Sequence, residues 1–357
     1  MNSLRWRTVG AALAILFLAG LAGAFHFQSA GEDTNPAETP IGPEELEVFF
    51  TDPGDPNAAR HRGGPDSALA AAMDSARQSI DVAVYHLNLW SIRDALISAH
   101  RRGVQVRVVT ESDNILGPEI DEIERAGIPV IGDRRETLMH DKFVILDRQE
   151  VWTGSMNLTV GSVYDDNNNL IRLWSAPVAL EFGRQFDEMF VEDRFGPLSI
   201  GDAATGRLPV GATSVEVLFA PEDRVAGRLS ELIRGASSSI EFLAYAFTAD
   251  GLADAMIERA EAGVQLRGVF ETDMADALGS EYPRFRQAGV DVRKDGNWGL
   301  MHHKVLVIDG STVVTGSYNF TRSAEEGNDE TVIILTEPDV AREFQKEFER
   351  TYAAAGD

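Results

Sequence analysis

The chain has 357 residues and an ordinary globular share of hydrophobic side chains, which excludes disorder as the default and leaves room for two domains. It holds no cysteine, which excludes disulfides, thiolate-held zinc, a thiol nucleophile and thio-linked lipid anchors. The net charge of -25 works against tight nonspecific binding of polyanions, which needs cationic contacts to phosphate, and equally suits a salty habitat.

Residues 1–24 read as a signal peptide or membrane anchor. Arg5 and Arg7 precede an apolar run from Val9 that ends Ala22-Gly23-Ala24, a small-x-small cleavage pattern. The run is short for a bilayer span, which needs roughly 20 residues, so cleavage and export to the periplasm or medium are expected. Residues 25–44 are largely polar and rich in proline towards their end, and are expected to form a flexible linker.

From there the sequence repeats itself. Ser79-Ile80-Asp81-Val82-Ala83-Val84-Tyr85 matches Ser239-Ile240-Glu241-Phe242-Leu243-Ala244-Tyr245 at an offset of 160. Gly103-Val104-Gln105 matches Gly263-Val264-Gln265 at the same offset. The offset then becomes 162, and Leu138-Met139-His140 matches Leu300-Met301-His302. Copies of this length are a duplicated domain rather than a solenoid. Residues 80–85 and 104–110 are expected as strands, and 91–102 as a helix stopped by Gly103. A second helix runs from Glu119 to Ala126. Strands alternating with helices predict α/β domains at 45–195 and 214–357, with 196–213 as a Gly- and Pro-rich linker.

Lysine is very scarce; only Lys142, Lys294, Lys304 and Lys346 occur. Two of these stand in the same motif, His140-x-Lys142-x4-Asp147 and His302-x-Lys304-x4-Asp309, at equivalent points of the repeat. Shuffling this composition would give about 0.006 such motifs. On a strand, His140 and Lys142 share one face while Phe143 and Ile145 project to the other, and the second copy behaves alike. Each motif is followed by Gly-Ser-x-Asn, with Ser155 and Asn157 in the first copy and Ser317 and Asn319 in the second.

Paired motifs of this kind resemble the phospholipase D superfamily, over residues 46–350. The resemblance implies two α/β/α sandwich domains related by a pseudo-twofold axis, with both motifs in one shared active site. It implies a phosphodiesterase that needs no metal and no cofactor, and a monomer, since one chain carries both motifs. The residues agree with that chemistry. Two histidines can act as nucleophile and as acid and base near neutral pH. Lys142 and Lys304 supply point charges for phosphate, and Ser155, Asn157, Ser317 and Asn319 are expected to donate hydrogen bonds to the substrate. A phosphohistidine intermediate follows. Asp147 and Asp309, beyond the strand, are expected to hold the loop.

A nucleophilic imidazole needs an acceptor on its other nitrogen. Glu330 lies 28 residues after His302, and the equivalent residue of the first copy is Asn168. We therefore expect Glu330 to orient His302 as nucleophile, with His140 as acid and base, although many two-motif phospholipases use the first histidine. Glu111, Asp113, Glu271 and Asp273 fit site loops and helix caps equally well. His303 is expected to pack on the opposite strand face. Tyr85 and Tyr245 are expected in the core, and Trp298 in loop packing. His26, His61, His86 and His100 show no metal-ligand spacing.

Four functions compete on the sequence. Hydrolysis of phospholipid head groups, with possible transfer to an alcohol and transient membrane contact, leads. A metal-independent endonuclease would line its groove with Arg134, Arg135, Arg293 and Arg322. A cardiolipin synthase would be held at the membrane. A dead phosphate-binding module would be expected to have lost a histidine or lysine, and both pairs are intact.

Overall fold

A computed structural model describes residues 45–201 and 206–356. The expected signal peptide or membrane anchor and the expected linker before residue 45 lie outside the described residues.

Each copy of the repeat builds one mixed sheet. The first holds β1 (Leu46–Phe50), β2 (Ser79–Val84), β3 (Gln105–Thr110), β4 (Val130–Gly132), β5 (Lys142–Leu146), β6 (Glu150–Gly154) and β7 (Asn169–Trp174). Their order is β1-β7-β6-β5-β2-β3-β4. The second holds β8 (Leu208–Val210), β9 (Thr213–Ala220), β10 (Ser239–Ala244), β11 (Gln265–Phe270), β12 (Asp291–Lys294), β13 (Lys304–Ile308), β14 (Thr312–Gly316) and β15 (Glu330–Thr336), in the order β12-β11-β10-β13-β14-β15-β9-β8. The order is the same in both copies apart from the added edge strand β8.

The central strands are buried from end to end, as continuous apolar runs such as Phe143-Val144-Ile145-Leu146 require of sheets covered on both faces. Alternation then assigns neighbours to different cores. Phe143 and Ile145 join one cluster, while Val144 and Leu146 join another. Helices Asp66–Ser75, Trp90–Arg101 and Pro118–Arg125 contribute to the outer core of the first sheet. Helices Val225–Gly235, Asp250–Glu261 and Tyr282–Gln287 do so for the second. A third core is shared: the inner faces of both sheets meet the long helices Ala176–Phe190 and Pro338–Ala354 through Phe182, Phe186, Phe344 and Phe348. Truncating any of these phenylalanines to alanine would cost about 3–5 kcal/mol, so the two copies are bound by core packing rather than by a tether.

The span 196–213, expected as a linker, is partly built into the fold. Phe195 just before it is buried, the Gly196 amide bonds the Asp329 carboxylate, and Leu208–Val210 adds an edge strand to β9. The alternation of Leu208 and Val210 was the sequence signal for that strand. Among the described residues no helix is long and apolar enough to cross a membrane.

Candidate active site

The register places both motifs on one edge. Lys142 begins β5 opposite Val84, the last residue of β2, and Lys304 begins β13 opposite Ala244, the last of β10. The segments leading into β5 and β13 then pair across the two copies. The His140 amide donates to the Asp329 carbonyl, and the His302 amide to the Asn167 carbonyl, each at 2.9 Å. Short bridges between Met139 and Asp329 and between Asn167 and Met301 complete the crossing. The two motifs are thereby stitched into a single site.

This crossing overturns the expected partner of Glu330. Its Oε2 lies 2.7 Å from His140 Nδ1, not against His302. His302 Nδ1 is instead 2.9 Å from Asn168 Oδ1 of the first copy. Asn168 Nδ2 donates to the Ser162 carbonyl, so its oxygen faces the imidazole. Both histidines therefore donate from Nδ1, which leaves the lone pair on Nε2. One is held by a buried carboxylate and the other by a neutral amide.

The serines, expected on the substrate, support these holders. Ser317 Oγ donates to Glu330 Oε2 at 2.6 Å and accepts from the Thr331 amide. Ser155 Oγ donates to Asn168 Oδ1 at 2.8 Å and accepts from the Asn169 amide. Both serines are fully buried. The glycine before each makes this approach possible. Gly154 and Gly316 have φ of 153° and 143°, and a Cβ would lie 2.4 Å from the Asn169 carbonyl oxygen or 2.1 Å from that of Thr331. Asn157 and Asn319 sit on the loops that follow, half-buried, and their Oδ1 atoms make no hydrogen bond among the described residues.

Each lysine is pinned to its own motif: Lys142 Nζ donates to the His140 carbonyl at 2.7 Å and Lys304 Nζ to the His302 carbonyl at 2.8 Å. Burial pushes Lys142 down to about 8, against the pull of Glu330 and Asp141, and pushes Lys304 well below the usual lysine range, with repulsion from Lys142 adding to it. Burial and the two lysines hold His140 and His302 well below the ordinary imidazole value. Burial raises Glu330 to about 7, opposed by Lys142 and the donors Ser317 and Asn328.

Tyr85 and Tyr245, expected in the core, line the site half-buried. Their rings stand edge-on to His140 at 5.1 Å and His302 at 4.7 Å. Lys142 and Lys304 lie over the same rings at 5.4 and 4.6 Å. Their position just past β2 and β10, on the site edge, was the missed signal. His303 packs inward as expected, between Glu347 at 2.8 Å and Asn169 at 3.1 Å. Asp141, its counterpart, accepts from Thr331 Oγ1 and is raised to about 7 by burial.

Asp147 and Asp309 lie at the far end of the motif strands, away from the histidines. Asp147 accepts from the amides of Arg77, Gln78 and Ser79. Asp309 accepts from those of Ser237, Ser238 and Ser239, which holds its carboxyl well below the usual range. Glu111 caps the turn after β3 and also accepts from the Met139 amide at 2.7 Å, next to His140; Glu271 caps the turn after β11. Trp298 is exposed rather than packed. Among the described residues no group of acids and histidines is arranged to hold a metal.

The four arginines expected of a nuclease groove each have a partner. Arg134 pairs with Asp193 and Arg322 with Glu326. Arg293 stacks on Tyr352, and Arg135 bonds Thr137 and the Gly327 carbonyl.

Comparison with known proteins meets this geometry. A family model described as "Cardiolipin synthase, PLD-like domain" matches twice, at residues 69–190 and 229–352. A "Mitochondrial cardiolipin hydrolase" of Chlamydomonas reinhardtii is 30% identical over 162 residues, covering 45% of this chain and 73% of that protein. A "Phospholipase D" of Rickettsia felis is 32% identical over 137 residues, covering 37% of this chain and 66% of that one. The solved phosphatidylserine synthase of Haemophilus influenzae shares the fold over 88% of this chain and 87% of its own, with a TM-score of 0.63 at 12% identity. The two matched stretches carry the two motif strands whose lead-in segments pair across the copies, and the chain belongs to the phospholipase D superfamily of phosphodiester hydrolases.

Proposed function

We propose that the enzyme hydrolyses the head-group phosphodiester of phospholipids, with His140 as nucleophile and His302 as acid and base. The observation that carries the division of labour is the carboxylate on His140 Nδ1 against the amide on His302 Nδ1. An imidazole that bonds to phosphorus becomes cationic, and Glu330 stabilises that charge where Asn168 could not. The relatives named for cardiolipin hydrolysis and phospholipase D activity support a lipid substrate.

In the first step His140 Nε2 attacks phosphorus and the bond to the head-group oxygen breaks. His302 Nε2–H gives its proton to that leaving oxygen. Protonating His302 must overcome its burial and the repulsion of the two lysines, and the charge of an anionic phosphate seated between them favours it. In the second step water attacks phosphorus, His302 takes its proton, and the P–N bond breaks to free His140. An alcohol in place of water gives transfer instead of hydrolysis. Lys142, Lys304 and the amides of Asn157 and Asn319 stabilise the non-bridging oxygens throughout.

The arginine and apolar pattern before Ala24 supports export, and the mass of the mature protein tests cleavage: a chain starting near residue 25 is expected, and an intact Met1 would make the segment a retained membrane anchor. For the activity, purified protein in EDTA is offered phosphatidylcholine vesicles and plasmid DNA beside a His140→Ala control. Choline release that vanishes in the control is expected. DNA nicking without lipid turnover would replace this reading with a nuclease.

A further inference from the structure

Apolar side chains with no packing partner recur on the edge that carries the site. Leu116 is 89% exposed and Leu278 is fully exposed. They are equivalent residues of the repeat, 162 apart, and each begins a Leu-Gly pair, Leu116-Gly117 and Leu278-Gly279. Each sits on the loop that leaves the C-terminal end of a strand, β3 or β11. Those strands end level with β2 and β10, hence level with Lys142 and Lys304. Duplication copied the exposed leucine to both sides of the site.

Two tryptophans share the edge. Trp90, 66% exposed, opens the helix after β2, and its indole donates to Glu119 at 3.2 Å, three residues past Leu116. Trp298, 73% exposed, lies on the loop leading to His302. Exposed leucines cost free energy in water, and indoles favour the boundary between water and lipid. By contrast Trp174, the last residue of β7, pairs with Glu150 at the end of the sheet away from the site, and Leu180 lies on the helix that follows it.

Resting on the phospholipid reading above, we propose that Leu116, Leu278, Trp90 and Trp298 seat the active-site edge on a lipid surface, so that substrate is drawn from an assembled layer. Charge selects the kind of surface. Asp113 and Asp273, themselves equivalent, are exposed beside the two leucines, and the chain carries a net charge of -25. An anionic layer or a polyanion would be repelled at this face. The partner is a layer of zwitterionic head groups, entered by apolar contact.

The cysteine-free chain permits a local test. Leu116→Cys, Leu278→Cys and, as control, Leu180→Cys are each labelled in the full chain with an environment-sensitive fluorophore and mixed with phosphatidylcholine vesicles. Labels at 116 and 278 are expected to shift to the blue and to be quenched by lipid-borne nitroxide, while the label at 180 is unchanged. No response at 116 and 278, an equal response at 180, or a response that grows with protein concentration without lipid would overturn the proposal, the last by pointing to a second copy. The response is expected to weaken on anionic vesicles; a stronger one would overturn the choice of surface. Leu116→Ser with Leu278→Ser is expected to lose about tenfold in turnover of vesicles and to keep turnover of monomeric short-chain phosphatidylcholine within about twofold. Equal loss on both forms, or none on either, would contradict it. Failure of the phospholipid reading shows separately, as absence of choline release by the wild-type enzyme from either form, with the labels still deciding whether the surface docks.

Discussion

The two copies of the repeat build the same strand, the same histidine and the same lysine, yet they hold their histidines differently. His140 rests on Glu330, which Ser317 braces, and His302 on Asn168, which Ser155 braces. Both holders come from the opposite copy, because the residues before β7 and β15 pair with the partner motif. Symmetry of backbone thus delivers two equivalent seats, and the proposed division into nucleophile and proton carrier rests on a single carboxylate-for-amide difference between them. The contrast extends one residue further: Asp141 faces Thr331, and its counterpart His303 faces Glu347.

The largest break in that comparison is to make both seats neutral. Glu330→Gln is expected to lower kcat on the order of 10³-fold, whereas Asn168→Ala is expected to lower it about tenfold. Steady-state kinetics on folded protein, with folding checked by near-ultraviolet circular dichroism, decides the matter; equal losses would remove the asymmetry.

A subtler break acts through pH. Glu330, raised to about 7, is ionised above that pH, and Lys142, lowered to about 8, keeps its charge below that pH. The profile of kcat/KM should therefore be a narrow bell, rising through about 7 and falling on the alkaline side as Lys142, at about 8, and the also depressed Lys304 lose their charge. Glu330→Gln is expected to erase the acid limb, and Lys142→Arg to move the alkaline limb upward. An acid limb that survives in Glu330→Gln would assign it to another group.

Smaller still is the difference between the serines. Ser317→Ala removes a donor from a charged holder and is expected to cost about tenfold in kcat, while Ser155→Ala, on an amide, should cost about threefold. The reverse order would place the serines on the substrate instead. The smallest effect on chemistry belongs to Asp309. Asp309→Asn should leave kcat nearly unchanged and cost about 1 kcal/mol of stability, trimmed by its solvent exposure. Because its folded pKa is depressed, that contribution is present above the unfolded aspartate value and is lost as pH falls through the folded value. Urea melts at pH 7 and at low pH should show the gap between the two proteins closing in acid.

Much of this was legible in the sequence. The repeat gave two domains of one fold, and the motif spacing placed each histidine and lysine side by side at a strand start. The loop-holding bonds of Asp147 and Asp309 followed from their place beyond the strand. What the sequence hid is what the pseudo-twofold crossing creates. Glu330 is near His302 in the chain and near His140 in space, and only the pairing of Met139 with Asp329 says so. The serines were misplaced for a related reason: a Gly-Ser turn does not reveal which neighbouring strand its hydroxyl will meet. Tyr85 and Tyr245 looked like core because aromatic residues close apolar runs, whereas position at a strand end on the site edge was the better guide.

The central claim is that His140 forms the covalent intermediate. Enzyme quenched in alkali during turnover of a phosphodiester, because the P–N bond to histidine is lost in acid, then digested and mapped by mass spectrometry without acidification, tests it directly. Phosphorus on the peptide carrying His140, absent from Glu330→Gln, is the predicted result. Phosphorus on the peptide carrying His302 would contradict the account and return the nucleophile to the second copy.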